Sequence, residues 1–250
     1  MRKPDMEFRS LAAAILAGGM GTRFQPVRMD IPKILAPVAG RPFISYQLDQ
    51  LADAGLEEVI LLTGHLAAEV RRELGEIYRG MRLIHCEEKT PLGTGGAIRS
   101  ALAWTRKRPL LVLNGDSFVD FKPEVLFRFH SSRKMAISLV LVKVDDTSRF
   151  GRVSLSKEGM VTNFHEKINN YGPGRINAGV YIIQPFVQES IPVRKMVSLE
   201  REVLPEYVQR GEVYGLPVPG RFIDIGIPES YAEAQNFFLE VEMNQVTGIS

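Results

Sequence analysis

Residues 16–33 read LAGGMGTRFQPVRMDIPK: an apolar run stops in three glycines, a threonine and an arginine, and a Pro-Lys pair follows. The run that leads in, LAAAILA (11–17), has the near-continuous apolar character of a strand covered on both faces. Strand, glycine loop and helix, in that order, is a phosphate-cradling arrangement. Glycine tolerates positive φ and lets backbone N–H groups approach an anion with no Cβ in between. Two standard versions fail. A P-loop needs G-x-x-x-x-G-K-[ST], for which Gly18 has no downstream partner, and the dinucleotide fingerprint G-x-G-x-x-G finds Gly19 and Gly21 but meets Phe24 in third place. What remains, GGxGTR followed by PK, offers Arg23 as a planar fork for phosphate oxygens and Lys33 as a point charge on a loop fixed by Pro32. A tight strand–helix turn with solvated cations has the same pattern, so the rest of the chain must decide.

Working outward, short apolar runs alternate with amphipathic stretches. EVILLT (58–63), LIHC (83–86) and PLLVLNGD (109–116) read as buried strands. FISYQLDQLADAG (43–55) puts Ile44, Leu48 and Leu51 on one helical face with Gly55 as C-cap, and AAEVRREL (67–74) and GTGGAIRSALAW (93–104) supply two more helices. This alternation predicts an α/β fold, Rossmann-like, with a mostly parallel sheet flanked by helices. After Asp120 strand-like segments crowd together: AISLVLVKV, GRVSLS, MVTNFHEK and INAGVYII. A helix over 198–211, bent or restarted at Pro205, then RFIDIG (221–226) and a helix from Pro228 to about Glu240 complete the pattern. We expect one domain over 11–240, a nucleotide-binding half (11–120) grading into a sugar-binding half (121–240), with an N-terminal extension (1–10) and a tail (241–250).

The composition excludes several classes. With 250 residues, 45% hydrophobic, 24% charged and a formal net charge of +2, bulk electrostatics favour neither nucleic acid nor a membrane surface. No window approaches the eighteen or so apolar residues of a membrane span, and the polar start MRKPDMEFRS lacks a signal-peptide pattern. Cys86 is the only cysteine, so a reducing, cytoplasmic location is expected, with Cys86 buried and inert. His65, His85 and His130 lack ligand spacing, and zinc is not expected.

The first loop has company. PLGTGGA (91–97) is a second glycine-rich turn opening a helix, directly after Glu87 and Glu88. NGD (114–116) ends a strand with a carboxylate at its C-terminal edge, where open α/β sheets bind ligands, and RFIDIG sets Asp224 after another short run. Two carboxylates at strand ends beside a phosphate cradle suit Mg²⁺, a hard ion that takes one or two carboxylates plus substrate phosphates. Taken singly, each aspartate reads equally as a cap or turn residue.

The ordered set LAGGMGTRFQP with IPK, PLGTGGA, LNGD, FGRV, FHEK, INAGVY and FIDIG, spanning nearly the whole chain, resembles the sugar-1-phosphate nucleotidylyltransferases. The resemblance implies the nucleotide-diphospho-sugar transferase fold in its short form, without a C-terminal β-helix. It also implies transfer of a nucleoside monophosphate from an NTP to a sugar 1-phosphate, with Mg²⁺ as cofactor, pyrophosphate as by-product and a homodimer as the usual assembly. It implies that Leu16, Gly18, Gly19, Gly21, Thr22, Arg23, Lys33, Glu88, Pro91, Gly93, Thr94 and Gly115 bind the nucleotide. Asn114, Gly151, Glu166, Lys167, Asn177 and Gly179 would take the sugar phosphate, and Asp116 and Asp224 the metal, with Arg23, Lys33, Asp116 and Lys167 catalytic. Glu88 falls where the family reads the base edge. A carboxylate there can accept from guanine N1–H and its amino group together, so GTP is expected, with Glu87 as the fallback if the register slips. Through EEKTPLGTGGAI the likeness is to bacterial guanylyltransferases of D-glycero-α-D-manno-heptose 1-phosphate, which serve surface glycan synthesis. Guanylyltransferases of mannose 1-phosphate and uridylyltransferases of glucose or N-acetylmuramate 1-phosphate are the alternatives. A non-catalytic sugar-nucleotide-binding subunit is the competing class, disfavoured because Arg23, Lys33, Asp116, Lys167 and Asp224 are all present.

Overall fold

The computed structural model describes residues 8, 11–19, 31–133, 135–165 and 172–247. Met20, Gly21, Thr22, Arg23, Glu166 and Lys167 lie outside the described residues, as do nearly all of the N-terminal extension and the last three residues of the tail. The first half carries β1 (Ala12–Ala17), β2 (Pro37–Val38), β3 (Arg41–Pro42), β4 (Glu58–Thr63), β5 (Ile77–Tyr78), β6 (Met81–Glu87), β7 (Leu110–Asn114) and β8 (Ser117–Val119). Between them run α1 (Phe43–Asp53), α2 (Ala67–Leu74) and α3 (Gly93–Thr105). The second half adds α4 (Pro123–Ser131), β9 (Ile137–Val144), β10 (Arg152–Leu155), β11 (Val161–His165), β12 (Gly174–Ile183) and α5 (Pro185–Ser190). A π-helical turn (Leu199–Val203) then leads into α6 (Leu204–Gln209), β13 (Val213–Pro217), β14 (Phe222–Asp224) and α7 (Pro228–Thr247).

Strands β7, β1, β4 and β6 pair in parallel as the centre of a mixed sheet ordered β11-β10-β12-β7-β1-β4-β6-β5. From β12 outward the pairing with β7, β9 and β10 is antiparallel, and β13 joins β9 in parallel. The near-continuous apolar runs are explained by cover on both faces. Alternate residues of β1 and β4 enter different cores: Ala13, Ile15, Val59 and Leu61 pack with Ile44, Leu48 and Leu51 of α1, whereas Ala14, Ile60 and Leu62 pack with Ile98 and Ala101 of α3. Helix α1 ends as its sequence predicts, with Gly55 N–H bonding Ala52 O at 2.9 Å and Leu56 N–H bonding Leu51 O at 3.1 Å, the paired bonds of a Schellman motif. No helix among the described residues is long and apolar enough to cross a membrane.

A third core gathers Phe43 and Tyr46 of α1, Phe118 of β8, Ile223 of β14, and Ile225 with Phe238 of α7. Phe238 stacks on Tyr46 with ring centroids 3.7 Å apart and meets Phe118 edge-on at 5.1 Å. This aromatic cluster seats the small β8–β14 ribbon, which stands apart from the main sheet. Two glutamines on one face of α1 also hold the ribbon and the segments next to it: Gln47 Nε2 donates to Asn114 O (2.8 Å) and Ser117 O (2.7 Å), and Gln50 Nε2 to Val119 O (3.1 Å) and Phe121 O (3.0 Å).

The chain between β7 and β8 passes so close to β1 that only glycine fits. Gly115 N–H bonds Leu16 O at 2.9 Å, and a Cβ there would lie 2.5 Å from that same oxygen and 2.9 Å from Ile34 Cγ2. Gly115→Ala should therefore cost about 1–3 kcal/mol by forced displacement of its neighbours. At Gly19 a Cβ would meet nothing within 4 Å, so Gly19→Ala should stay within about 0.5 kcal/mol of the parent. Urea unfolding of the two variants measures the contrast; equal stabilities would contradict the close approach.

Candidate active site

Asp116 follows β7 and Gly115 directly, at the C-terminal end of the parallel strands. Asp224 ends β14. Antiparallel pairing sets Ser117 opposite Asp224, and Ile225 N–H bonds Asp116 O at 2.9 Å, so backbone hydrogen bonds bring the two aspartates to one place. Lys33 arrives from a one-turn 3-10 helix (Lys33–Leu35) anchored by Ile34, which is 4% exposed and packs at Gly115. Its Nζ lies 2.6 Å from Asp116 Oδ2. A Cβ built on Gly226 would collide with Asp224 Oδ2 and lie 3.9 Å from the same Nζ, so the ammonium group bonded to Asp116 lies close to Asp224 as well. Asp224 is oriented further by Gly226 N–H, which bonds Oδ2 at 2.9 Å, and by Arg149. Of the residues assigned to catalysis and metal, Lys33, Asp116 and Asp224 are thus brought together; Arg23 and Lys167 lie outside the described residues.

Asn114, Gly151, Asn177 and Gly179, the described residues expected to take the sugar phosphate, sit next to this group. Asn114 ends β7, and its Oδ1 is buried without a hydrogen-bond partner among the described residues. Gly179 packs directly on the Asn114 side chain, in an irregular stretch of β12 between Asn177 and Tyr181. Asn177 N–H bonds Gly151 O at 3.4 Å, so Gly151, Asn177, Gly179 and Asn114 form one contiguous wall. Asn177 Oδ1 accepts from Gly179 N–H (3.1 Å), and Asn177 Nδ2 donates to the Tyr181 hydroxyl (2.6 Å). That hydroxyl donates in turn to Glu200 Oε1 at 3.4 Å. Burial, then the negative charges of Glu200 and Asp116, push the Tyr181 phenol well above its ordinary value, so it stays a donor.

The second glycine turn has a role its sequence does not reveal. Gly95 N–H (2.9 Å) and Gly96 N–H (3.4 Å) both point at Val197 O, and Val197 N–H bonds Leu92 O at 2.9 Å. Gly93 has φ +70°, and a Cβ on it would sit 2.5 Å from Val197 O. Thr94 Oγ1 donates to Glu200 Oε2 and accepts from Leu199 N–H, both at 2.8 Å. These glycines therefore let the start of α3 lie against the backbone that leads into the π-helical turn. Amides 95 and 96 are consumed internally, and the site keeps Pro91 and Gly93 as its exposed edge. Glu88 N–H bonds Thr63 O (2.8 Å), and its half-buried carboxylate accepts Leu92 N–H at 3.1 Å through Oε2. Burial raises its pKa, the Leu92 amide opposing. Glu87 is exposed at the end of β6. At the end of β1, Leu16 O is occupied by Gly115 N–H, Gly18 packs at ordinary contact on Gly64 N, and Gly19 is exposed.

Sequence reasoning missed Gln47, Gln50, Glu200 and Arg149. The glutamines were signalled by two amides at i and i+3 beside the apolar stripe of α1. Cys86 departs from expectation: it is half-buried, because its strand lies near the edge of the sheet, with Sγ 3.6 Å from Ser100 Oγ. His130 is structural. Burial lowers its pKa to about 4, and its ring nitrogens lie 2.7 Å from Ser138 Oγ and 2.8 Å from Gln184 Nε2.

Comparison with known proteins agrees with this arrangement. The Nucleotidyl transferase family model matches residues 12–241. The mannose-1-phosphate guanylyltransferase catalytic subunit beta of Drosophila melanogaster is 36% identical over 231 residues, spanning 91% of this chain but 62% of that protein. The D-glycero-alpha-D-manno-heptose 1-phosphate guanylyltransferase of Aneurinibacillus thermoaerophilus is 33% identical over 225 residues, 90% of this chain and 97% of that one. The crystal structure of HddC from Yersinia pseudotuberculosis, complexed with GMP-PN, superposes with a TM-score of 0.80 at 32% identity, covering 91% of this chain and 99% of that chain. With a match that runs from β1 into α7, the chain belongs to the nucleotidyl transferase family.

Proposed function

We propose that this protein transfers a guanylyl group from GTP to D-glycero-α-D-manno-heptose 1-phosphate, yielding GDP-heptose and pyrophosphate for glycan synthesis in the cytoplasm, as a homodimer. The observation that carries the reading is the meeting of Asp116, Lys33 and Asp224 at the C-terminal ends of the parallel strands. The chemistry asks for little else. A sugar phosphate has its second pKa near 6, so it is largely dianionic at neutral pH and is its own nucleophile. One of its oxygens attacks the α-phosphorus in line, the bond from that phosphorus to the bridging oxygen breaks, and pyrophosphate departs with the electron pair. The obstacle is an anion approaching an anion, which positioning and charge neutralisation overcome.

Lys33 suits that task, as a strongly hydrated point charge on a short, anchored turn. Two carboxylates with hard oxygen donors, brought to one place by the β8–β14 pairing, fit Mg²⁺, so Asp116 and Asp224 would hold it. When bound, the ion supplies positive charge to the phosphate oxygens. Arg23 with Gly18, Gly19, Gly21 and Thr22 would line the triphosphate, and Glu166 and Lys167 would complete the wall of Asn114, Gly151, Asn177 and Gly179 around the sugar phosphate. Glu88 suits guanine. A carboxylate has about four lone-pair sites, so the Leu92 amide orients it without exhausting it. The heptose assignment is supported by the near-full-length likeness to the Aneurinibacillus enzyme. Mannose 1-phosphate is the second reading, favoured by the 36% identity to the Drosophila subunit.

Pyrophosphate release, measured with GTP, UTP, ATP and dTTP against heptose 1-phosphate and mannose 1-phosphate, should be fastest with GTP and the heptose. No release from any pair would end the proposal. Asp116→Asn should lower kcat at least about 100-fold with the fold intact, the scale of losing one electrostatic contact to a transition state. Glu88→Gln should erode the preference for GTP over UTP by about 10- to 100-fold, since a bidentate base contact is worth about 1–3 kcal/mol. An unchanged preference would remove Glu88 from base recognition.

A further inference from the structure

Each carboxylate of the pair has its own cation. Asp116 has Lys33 at 2.6 Å, and Asp224 has Arg149, whose Nη2 lies 3.0 Å from Oδ1 and 3.2 Å from Oδ2. Arg149 is held deliberately for a residue whose side chain is 39% exposed. Its Nη2 also donates to Ser230 Oγ at 3.3 Å, and Ser230 is 1% exposed and itself bonded to Ile227 O. The guanidinium carbon lies 5.4 Å from the centre of the Phe150 ring. Phe150 in turn packs edge-on against Phe222 of β14, with centroids 5.4 Å apart. The loop between β9 and β10 is thereby fastened to the very strand that ends in Asp224. All three hydrogen bonds use Nη2, and Nη1 and Nε make none among the described residues, so much of the fork is unused.

The charges balance as they stand: two carboxylates, one ammonium, one guanidinium. Asp224 is only 18% exposed, and a carboxylate withdrawn from water without a counter-charge is costly. A divalent cation entering alone would have to displace two cations that then face it unpaired. One that enters together with phosphate oxygens presents no such difficulty, because the displaced Lys33 and Arg149 find new anions beside them, and a guanidinium fork matches phosphate geometry bidentately.

We propose that Arg149 is a positioning residue that stands in for the metal on Asp224: it keeps the carboxylate paired and aimed in the metal-free protein, and transfers to the phosphoryl oxygens of the nucleotide when the divalent ion arrives with them. The proposal rests on the metal-binding role given above to Asp116 and Asp224. Its consequence is that metal and nucleotide favour each other's binding, a coupling that works in both directions.

The test compares the full-length protein with Arg149→Gln, Arg149→Lys and Asp224→Asn, circular dichroism confirming the fold of each. Binding of Mn²⁺ alone is followed by the electron paramagnetic resonance of the free ion, and binding of Mg·GTP by calorimetry. Arg149→Gln should bind Mn²⁺ about two- to fivefold more tightly, the range expected for removing one half-exposed competing charge, and should bind Mg·GTP more weakly. Arg149→Lys, which keeps the charge but not the fork, should stay near the parent for Mn²⁺ and fall between the parent and Arg149→Gln for Mg·GTP. These opposite signs separate positioning from a merely structural role, which would weaken both. If Arg149→Gln leaves Mn²⁺ binding unchanged or weaker while Asp224→Asn diminishes it, the placeholder proposal falls and the metal site stands. If Asp224→Asn binds Mn²⁺ as the parent does, the metal site falls and the proposal with it.

Discussion

The pairing of β8 with β14 is the constraint on which the rest of the site depends. Three residues on each strand, and one further bond from Ile225 N–H to Asp116 O, decide where two distant carboxylates meet. A two-stranded ribbon of this length has marginal stability of its own. Its support comes from outside: Phe118 and Ile223 are sunk into the aromatic cluster closed by Phe238, and Gln47 and Gln50 occupy the carbonyls of the adjoining turn and strand. Burying such aromatic and branched side chains contributes about 1.5–3 kcal/mol apiece. The electrostatic centre of the molecule therefore rests on an apolar footing.

Glycine serves two separate purposes in this chain. At Gly115 it lets one strand end pass over another, which sets the height at which Asp116 emerges beside Lys33. In PLGTGGA it allows the start of α3 to be gripped by the Val197 carbonyl, and Thr94 and Glu200 continue the grip through side chains. From Glu200 a line of hydrogen bonds runs through the Tyr181 hydroxyl to Asn177. The turn beside the proposed base site and the wall beside the proposed sugar site are thus parts of one polar network, satisfied at each step and cooperative for that reason.

Much of the fold could be read in advance where burial itself writes the pattern. β4 coincides with the run EVILLT, and α1 with the apolar stripe that Gly55 terminates, because both faces of the one and a single face of the other are covered. What could not be read owes its structure to a partner. SFV in β8 and VYGLP in β13 are too short and too ordinary to announce strands; their neighbours β14 and β9 make them so. Helix α4, PEVLFRFHS, has a short buried face of Pro123, Leu126 and the polar His130, and went unrecognised. In the site, Lys33, Asp116 and Asp224 stood in motifs and could be named from them. Arg149 lies one residue outside the FGRV motif, and nothing local marks it: its meaning comes from the loop being pinned to β14 through Phe150 and Phe222.

The ribbon also fixes an order of events. β8 is made before half the chain has been synthesised, yet its partner β14 comes after every other strand. While the polypeptide is emerging, the early segment can assemble its parallel centre from β1, β4, β6 and β7, but Asp116 must wait for Asp224 until almost the last turn of the path. Contacts of such long sequence separation close late because the entropy of the intervening loop has to be overcome first. A nascent or truncated chain that already possesses a well-formed central sheet would still lack its pair of carboxylates, which meet only as the final strand docks.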